Sequence, residues 1–147
     1  MGSWFSKRIS RVEDLHEGIL EIIFSYSGGY NFVQRQVCSD FRRIIPEVDR
    51  LAYLDTLLAD GFVPKKLERS YRLFYLALDR GYLNIFLYHG GYVLPTDFCS
   101  RCARNGHLHM LQWAHEKGFL IIKSVYREAI KAEQRHVAQW LIDNNLS

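Results

Sequence analysis

Apolar residues between positions 12 and 45 recur at helical intervals. The first apolar stripe, spaced at i, i+4, i+7, i+8 and i+11, consists of Leu15, Ile19, Ile22, Ile23 and Tyr26. This spacing predicts one face of an amphipathic helix. Gly28 and Gly29 predict the end of that helix, because glycine readily adopts a positive φ.

Two further short helices are predicted before Pro46. Asn31, with Gln34 three residues later, has the pattern of a capping box and predicts the start of the second helix. The apolar stripe of this second helix consists of Phe32, Val33, Val37 and Cys38. The third helix carries Phe41, Ile44 and Ile45, and Pro46 predicts its end. A three-helix unit of about 35 residues is too small to be very stable alone.

Residues 51–147 repeat themselves, which predicts a helix-pair solenoid. The clearest copies are GYLNIFLYHGGY (81–92), GHLHMLQWAHEKGF (106–119) and QRHVAQWLIDNNL (134–146), and a degenerate copy ends in LDTLLADGF (54–62). The copies close at Gly61, Gly91, Gly118 and Asn145, with spacings of 30, 27 and 27 residues. About three and a half copies are therefore expected, each burying its apolar face against its neighbours.

Within each copy the pattern predicts two helices joined by a tight bend. Gly106 stands where the first helix must reverse, and Thr96 and Ser124 stand where N-caps of first helices are expected. The residues after three closing positions, Phe62, Tyr92 and Phe119, are expected to pack between copies. The fold class predicted for the whole chain is all-α.

Four tyrosines on the copies are candidate contacts for a target protein. They are Tyr71, Tyr75, Tyr82 and Tyr92. The competing interpretation is that a tyrosine-rich stripe forms the edge of the core, which is the more common arrangement.

Composition supports a folded chain with reduced thiols. Hydrophobic residues make up 48% of the sequence, and no apolar run approaches the ~18 residues of a membrane-spanning helix. No secretory signal precedes the first helix, and three cysteines are an odd number, so we expect reduced thiols in a cytosolic or nuclear setting. The location that we predict is the cytoplasm, with membrane association as an alternative, and the protein is not expected to be secreted.

The net charge of +3 is accounted for by the N-terminal tail, residues 1–12. Lys7, Arg8 and Arg11 lie there, and the remaining 16 basic and 16 acidic residues balance. A balanced body argues against a nucleic-acid groove, which needs a basic face. The tail's MGSWFS start matches the pattern for myristoylation at Gly2, and its three basic residues would then attract anionic lipid headgroups. The alternative is that Met-Gly-Ser is left over from cloning.

One stretch carries residue types that bind metals. Cys99 and Cys102 precede His107 and His109, giving the spacing Cys-x-x-Cys-x4-His-x-His. Structural zinc sites do not typically use this spacing, so we interpret the cysteines as helix-packing residues and the histidines as polar, solvent-facing positions. No nucleophile-elbow, phosphate-loop or His-Glu-x-x-His motif occurs, so we expect neither catalysis nor a cofactor.

Residues 14–44, DLHEGILEIIFSYSGGYNFVQRQVCSDFRRI, resemble an F-box, and we assign residues 13–50 to it. Leu15 matches the opening leucine and VCSDFRR the characteristic ending, whereas His16 replaces the usual proline. The resemblance implies docking on a Skp-type adaptor of a cullin–RING ubiquitin ligase by burial of an apolar helix in a groove. The implied contacts are Leu15, Ile19, Leu20, Ile22, Ile23, Val37, Cys38 and Phe41.

The remaining two-thirds of the chain resembles the ankyrin-like repeats of large DNA viruses of amoebae. CARNGHLHMLQWAHEKGF, residues 102–119, is the segment most similar to those repeats. The copies are shorter than the usual 33 residues of ankyrin and lack its Thr-Pro-Leu-His start. An F-box followed by such repeats is a known viral combination, so the resemblance implies a viral protein.

Two functions follow as expectations. The first is a non-enzymatic adaptor whose F-box binds the ligase and whose repeats bind a target protein. The second is a structural, assembly or membrane-associated viral protein in which the F-box-like helices only cap the repeats. His16 favours the second function, because it weakens the docking motif.

Overall fold

The computed structural model describes residues 17–90 and 94–146, with the exception of the Glu17 side chain. Within these ranges the regular secondary structure consists of ten α-helices and one 3-10 segment. The all-α prediction is therefore confirmed. The chain divides into two compact units, residues 1–56 and 57–147.

The first unit is built from short helices. They are α1 (Glu17–Ser25), a 3-10 segment (Gly28–Tyr30), α2 (Asn31–Gln34), α3 (Ser39–Ile44) and the beginning of α4 (Arg50–Ala59). The division between the units falls inside α4, after Thr56. Tyr53 of α4 packs on Tyr30 and Phe32, with ring centroids 5.8 and 5.6 Å apart, although the sequence boundary at residue 50 assigns it to the repeats.

A small core holds the first unit together. Leu20, Phe24 and Ile45 are buried, and Phe41 and Ile44 pack against them. The rings of Phe24 and Phe41 meet edge to face, 5.0 Å apart. Leu20 and Phe24 lie one turn apart on α1, so the buried face of this helix is not the stripe that the sequence periodicity picks out.

The capping box predicted at Asn31 is wrong. Asn31 is buried, lies inside the first turn of α2 and donates from Nδ2 to the carbonyl oxygen of Phe24 at 3.0 Å. The side chain therefore joins the end of α1 to the start of α2 and does not cap its own helix. α2 also ends earlier than predicted, at Gln34, so that Val37 and Cys38 lie in the link before α3.

The second unit continues with three helix pairs. They are α5 (Tyr71–Arg80) with α6 (Leu83–Tyr88), α7 (Phe98–Asn105) with α8 (Leu108–Glu116), and α9 (Lys123–Lys131) with α10 (Arg135–Asp143). The two helices of each pair pack together, and α7 also packs against both α5 and α9. The successive pairs therefore stack through their first helices.

Each pair reverses at a residue with positive φ. Gly81 and Gly106 have φ of +78° and Glu133 has φ of +57°. The amide after each of these residues donates to the carbonyl five residues earlier, at 2.8 to 2.9 Å, which is the Schellman closure of a helix. The reversal predicted at Gly106 is confirmed.

The second helices end in the same way. Gly61, Gly118 and Asn145 have φ of +80°, +78° and +57°, and Phe62, Phe119 and Leu146 donate to carbonyls five residues back. These three predicted closing positions are confirmed, and Gly91 lies outside the described residues.

Some other local predictions in the second unit are wrong, and one agrees with the structure. The N-cap positions of α7 and α9 belong to Asp97 and Ile122, so neither Thr96 nor Ser124 caps a first helix. Phe62 is 64% exposed and does not pack between copies. Phe119 is half-buried and its ring lies 5.8 Å from that of Trp113, as expected of a packing residue, whereas Tyr92 is outside the described residues.

Candidate functional site

The first unit presents an apolar surface on α1. Ile19, Ile22, Ile23 and Tyr26 are 47%, 62%, 46% and 87% exposed, and we call these four residues the α1 ridge. Ile19, Ile22 and Ile23 lie three or four residues apart on one face of α1, turned away from Leu20 and Phe24, and Tyr26 stands in the turn directly after the helix. An exposed apolar cluster of this kind is typical of a surface that binds another macromolecule.

The eight predicted F-box contacts differ in their exposure to solvent. Ile19, Ile22, Ile23 and Val37 are exposed, Val37 by 68%. Cys38 and Phe41 are half-buried, and Leu20 belongs to the core of the unit. Leu20 must therefore be removed from the contact set, because a buried side chain is not available to a partner. Val33, which the set omits, is 41% exposed.

Five predicted site residues lie outside the described residues. They are Gly2, Lys7, Arg8, Arg11 and Leu15. In the part of the chain that the structure describes, none of the helices has the length and hydropathy needed to cross a membrane.

The histidines of the second unit make specific contacts with the preceding helix pair. The Nε2 atom of His109 lies 2.8 Å from the carbonyl oxygen of Gly81, and the Nε2 atom of His136 lies 2.9 Å from that of Gly106. His107 contacts the carbonyl oxygen of Asp79 at 2.8 Å. His109 and His136 are exposed, as the interpretation of polar, solvent-facing positions predicts, and His107 is half-buried. Their contacts with the preceding pair were not predicted.

A missed periodic signal could have revealed these bonds. His109 and His136 each stand three residues after their reversal, at Gly106 and Glu133. Gln134 extends the pattern, because its Nε2 donates to the carbonyl oxygen of Arg104 at 3.4 Å. We call these side-chain contacts with the preceding reversal the inter-pair ladder.

The residues of the suspected metal stretch do not converge. The rings of His107 and His109 lie 6.2 Å apart at their centroids, and each is engaged by a backbone carbonyl. Among the residues that the structure covers, no three metal-ligating side chains cluster together. Burial raises the pKa of the Cys99 and Cys102 thiols, and the neighbouring Cys99 raises that of Cys102 further.

Ion pairs connect the first helices across the stack. Arg101 of α7 contacts Asp79 of α5 at 3.0 Å and Asp97 at 2.6 Å. Arg104 contacts Glu128 of α9 at 2.9 Å, and this hydrogen bond is the main reason why the pKa of Glu128 is lowered. These pairs are largely exposed, so each contributes little to stability.

A cavity of about 510 Å³ lies beside the first helix pair, and two of the four tyrosines predicted as target contacts, Tyr71 and Tyr75, line it. Its walls include Arg69, Tyr71, Phe74, Tyr75, His89 and Leu94. Residues from before α5, from α5 itself and from after α6 contribute, so the cavity exists only in the folded pair. Tyr71 and Tyr75 are 86% and 43% exposed there, and Tyr82 is half-buried.

Charge is divided unevenly between the two units. Residues 12–56 contain four basic and eight acidic residues, whereas residues 57–147 contain twelve basic and eight acidic residues. The zero net charge of residues 12–147 is therefore the sum of −4 and +4. A partner of the second unit is favoured if it is acidic.

Cysteine alkylation provides a test of the burial described above. Iodoacetamide is expected to leave Cys102 unmodified in the native protein near neutral pH and to modify it in urea. The reason is that the reactive thiolate is both inaccessible and disfavoured by the raised pKa of Cys102. Mass spectrometry of the tryptic peptides measures this, with the half-buried Cys38 as the internal comparison. Equal modification of Cys102 with and without urea would contradict the packing of α7.

Comparison of the chain with family models, with curated proteins and with solved structures finds no match.

Proposed function

We propose that this protein is a non-enzymatic adaptor. In this proposal the first unit docks on a Skp-type subunit of a cullin–RING ubiquitin ligase, and the second unit binds a target protein. The observation that supports it best is the α1 ridge, four large apolar side chains left in contact with water on a small unit. The F-box resemblance of residues 14–44 suggests which kind of partner covers them.

The energetics of the ridge favour a partner. Burying an exposed isoleucine side chain fully stabilises a complex by about 1.5–3 kcal/mol, before the cost of association is subtracted. Ile19, Ile22 and Ile23 each retain roughly half of their surface in water. Burying each of them in a groove therefore contributes a part of that free energy, and the three contributions add together. Tyr26 adds a larger ring in the turn directly after the helix.

The second unit offers the other half of an adaptor. Stacked helix pairs that repeat through the same reversals form a continuous surface, which is the usual way in which such arrays bind proteins. Three free cysteines are consistent with a reducing compartment, so we place the adaptor in the cytoplasm, that of a host cell if the chain is viral.

Co-purification with a Skp-type adaptor tests the proposal. The full-length protein is expected to retain the adaptor, and Ile22→Asp combined with Val37→Asp is expected to reduce retention at least about tenfold, because a charge cannot enter an apolar groove unpaired. Both positions are exposed, so the variant should remain folded. Leu20→Asp would be uninformative, since Leu20 is part of the core.

Matched substitutions in the second unit provide the control. Ile122 and Val63 are 54% and 53% exposed, and Ile122→Asp with Val63→Asp introduces the same charges in the second unit. Retention of the adaptor should be unchanged in this control. If folded wild-type protein does not retain the adaptor, the adaptor proposal is wrong, and the structural, assembly or membrane-associated role is the proposal to test next. Detection of the protein among the components of purified virus particles would then support that role.

A further inference from the structure

The cavity beside α5 and α6 combines aromatic walls with hydrogen-bond donors. Tyr71, Phe74 and Tyr75 supply the aromatic side, and Arg69 and His89 supply the polar side. None of the described residues that line it is acidic. Its volume of about 510 Å³ is within the range of ligand pockets, which is about 300–1,000 Å³.

His89 is held in one tautomer at this wall. The backbone N–H of Ser70 donates to its Nδ1 at 3.2 Å, so the proton of the neutral ring resides on Nε2. Burial and the charge of Arg69 lower the pKa of His89, which keeps the ring neutral. The Nε2 atom is buried and has no hydrogen-bond partner among the residues that the structure describes. A buried donor without an acceptor is costly, so we expect a ligand that turns the ring toward the cavity and accepts from Nε2 to relieve that cost.

Arg69 supplies a charge to the same wall. Its guanidinium lies 5.7 Å from the centre of the Tyr88 ring, and none of the ion pairs found in the described residues involves it. Lys65, Lys66 and Arg72 are exposed nearby in the sequence, and Glu68 is the one acid between Lys65 and Arg72. The chain segment that carries Arg69 into the wall is therefore positive, in agreement with the charge of the second unit.

The geometry points to a binding site for a short acidic segment of a target protein. We propose that an apolar side chain of this segment lies against Tyr71 and Tyr75 while a neighbouring carboxylate contacts Arg69 and accepts from His89 Nε2–H. This site would be the place where the proposed adaptor holds its target. The proposed function is needed only to identify the acidic segment as part of a target protein.

The distribution of basic residues favours a peptide over a nucleic acid. Nucleic-acid binding depends on several phosphate contacts along a basic track. The basic side chains of the next first helix, Arg101 and Arg104, are already paired with Asp79, Asp97 and Glu128. Arg101 and Arg104 therefore do not extend the free charge of Arg69 along the next first helix.

Fluorescence anisotropy with the full chain tests the site. The probe is a labelled hexapeptide, Ala-Glu-Leu-Phe-Glu-Ala, and the comparison peptide carries lysine in place of both glutamates. The acidic probe is expected to bind at micromolar to millimolar concentration. The lysine peptide is expected not to bind in this range. Amide chemical shifts should change at Arg69, Tyr71, Tyr75 and His89 when the acidic probe is added.

Substitutions at two exposed positions measure separately how the charge and the aromatic ring contribute to binding. Arg69→Glu is expected to weaken binding at least about tenfold, and Tyr71→Ala about threefold to tenfold. Lys117→Glu is the matched control for charge, because Lys117 is exposed on the second unit away from the cavity. Tyr26→Ala is the matched control for the ring, since Tyr26 and Tyr71 are 87% and 86% exposed. Neither control should change the affinity.

The proposal is overturned if the acidic probe does not bind, if the lysine peptide binds equally well, or if both cavity variants bind like their controls. Tighter binding of an oligothymidylate strand that is lost with Arg69→Glu would assign the site to nucleic acid instead. No ligase adaptor is present in this assay, so its outcome is independent of the co-purification experiment.

Discussion

Replacing Phe86 with alanine is expected to lower the free energy of unfolding by about 3–5 kcal/mol, the usual cost of emptying a core site of a phenylalanine ring. Phe86 is fully buried in α6. Its ring lies 4.7 Å from that of Phe74, 5.0 Å from that of Phe98 and 6.4 Å from that of Trp113, so it joins three helices besides its own. Urea denaturation followed by far-ultraviolet circular dichroism measures the change.

Phe62→Ala is the matched control, because it removes the same side chain from a position that is 64% exposed. A loss below about 0.5 kcal/mol is expected there. Similar losses for the two variants would mean that the aromatic cluster around Phe86 is not the core of the second unit.

The second large effect is expected at Gly106. With φ of +78°, an alanine in this conformation costs about 1–2 kcal/mol. A β-carbon would also stand 2.5 Å from Gln134 Oε1 and 2.9 Å from Gln134 Cδ. The inter-pair ladder must then shift, and its contacts with Arg104 and Gly106 contribute about 1 kcal/mol more. Gly106→Ala should therefore reduce the free energy of unfolding by about 2–3 kcal/mol in total.

Glu133 provides the comparison for this glycine. It occupies the equivalent reversal with φ of +57° and already carries a β-carbon. Glu133→Ala is therefore expected to change the free energy of unfolding by less than about 0.5 kcal/mol in the same denaturation experiment. An equal loss at both positions would contradict the close approach of Gln134 to Gly106.

Features set by neighbouring residues could be predicted from the sequence. The reversal at Gly106 and the closures at Gly61, Gly118 and Asn145 are examples, because a positive φ and a Schellman hydrogen bond involve only six consecutive residues. The all-α class follows from the same local periodicity. The assignment of the two halves to an F-box and to ankyrin-like repeats stays a prediction.

The buried face of α1 could not be predicted from periodicity. Ile19, Leu20, Ile22, Ile23 and Phe24 surround most of the helix, so two apolar faces compete for the core. Leu20 and Phe24 are buried because Phe41 and Ile45, far along the chain, complete that side. Asn31 fails as a cap for a similar reason, since its amide finds the carbonyl of Phe24 seven residues earlier.

The candidate sites depend on still longer separations. Ser70 and His89, which meet at the cavity wall, are 19 residues apart, and His109 lies 28 residues from the Gly81 carbonyl that it contacts. A single sequence contains no signal for the first contact. The sequence does contain a signal for the second contact, because histidine recurs at positions 109 and 136. That signal can be interpreted only when the stacking of the helix pairs is known.

The inter-pair ladder has a consequence for how this chain can vary in length. Successive reversals are separated by 25 residues from Gly81 to Gly106 and by 27 from Gly106 to Glu133, yet the histidine stands three residues after its reversal in both later pairs. The links between pairs, residues 89–97 and 117–122, also differ in length without moving the histidine from this place. Insertions should accordingly be accommodated between α6 and α7 or between α8 and α9. A single residue added between a reversal and its histidine turns the imidazole by about 100° around the helix and removes it from its carbonyl.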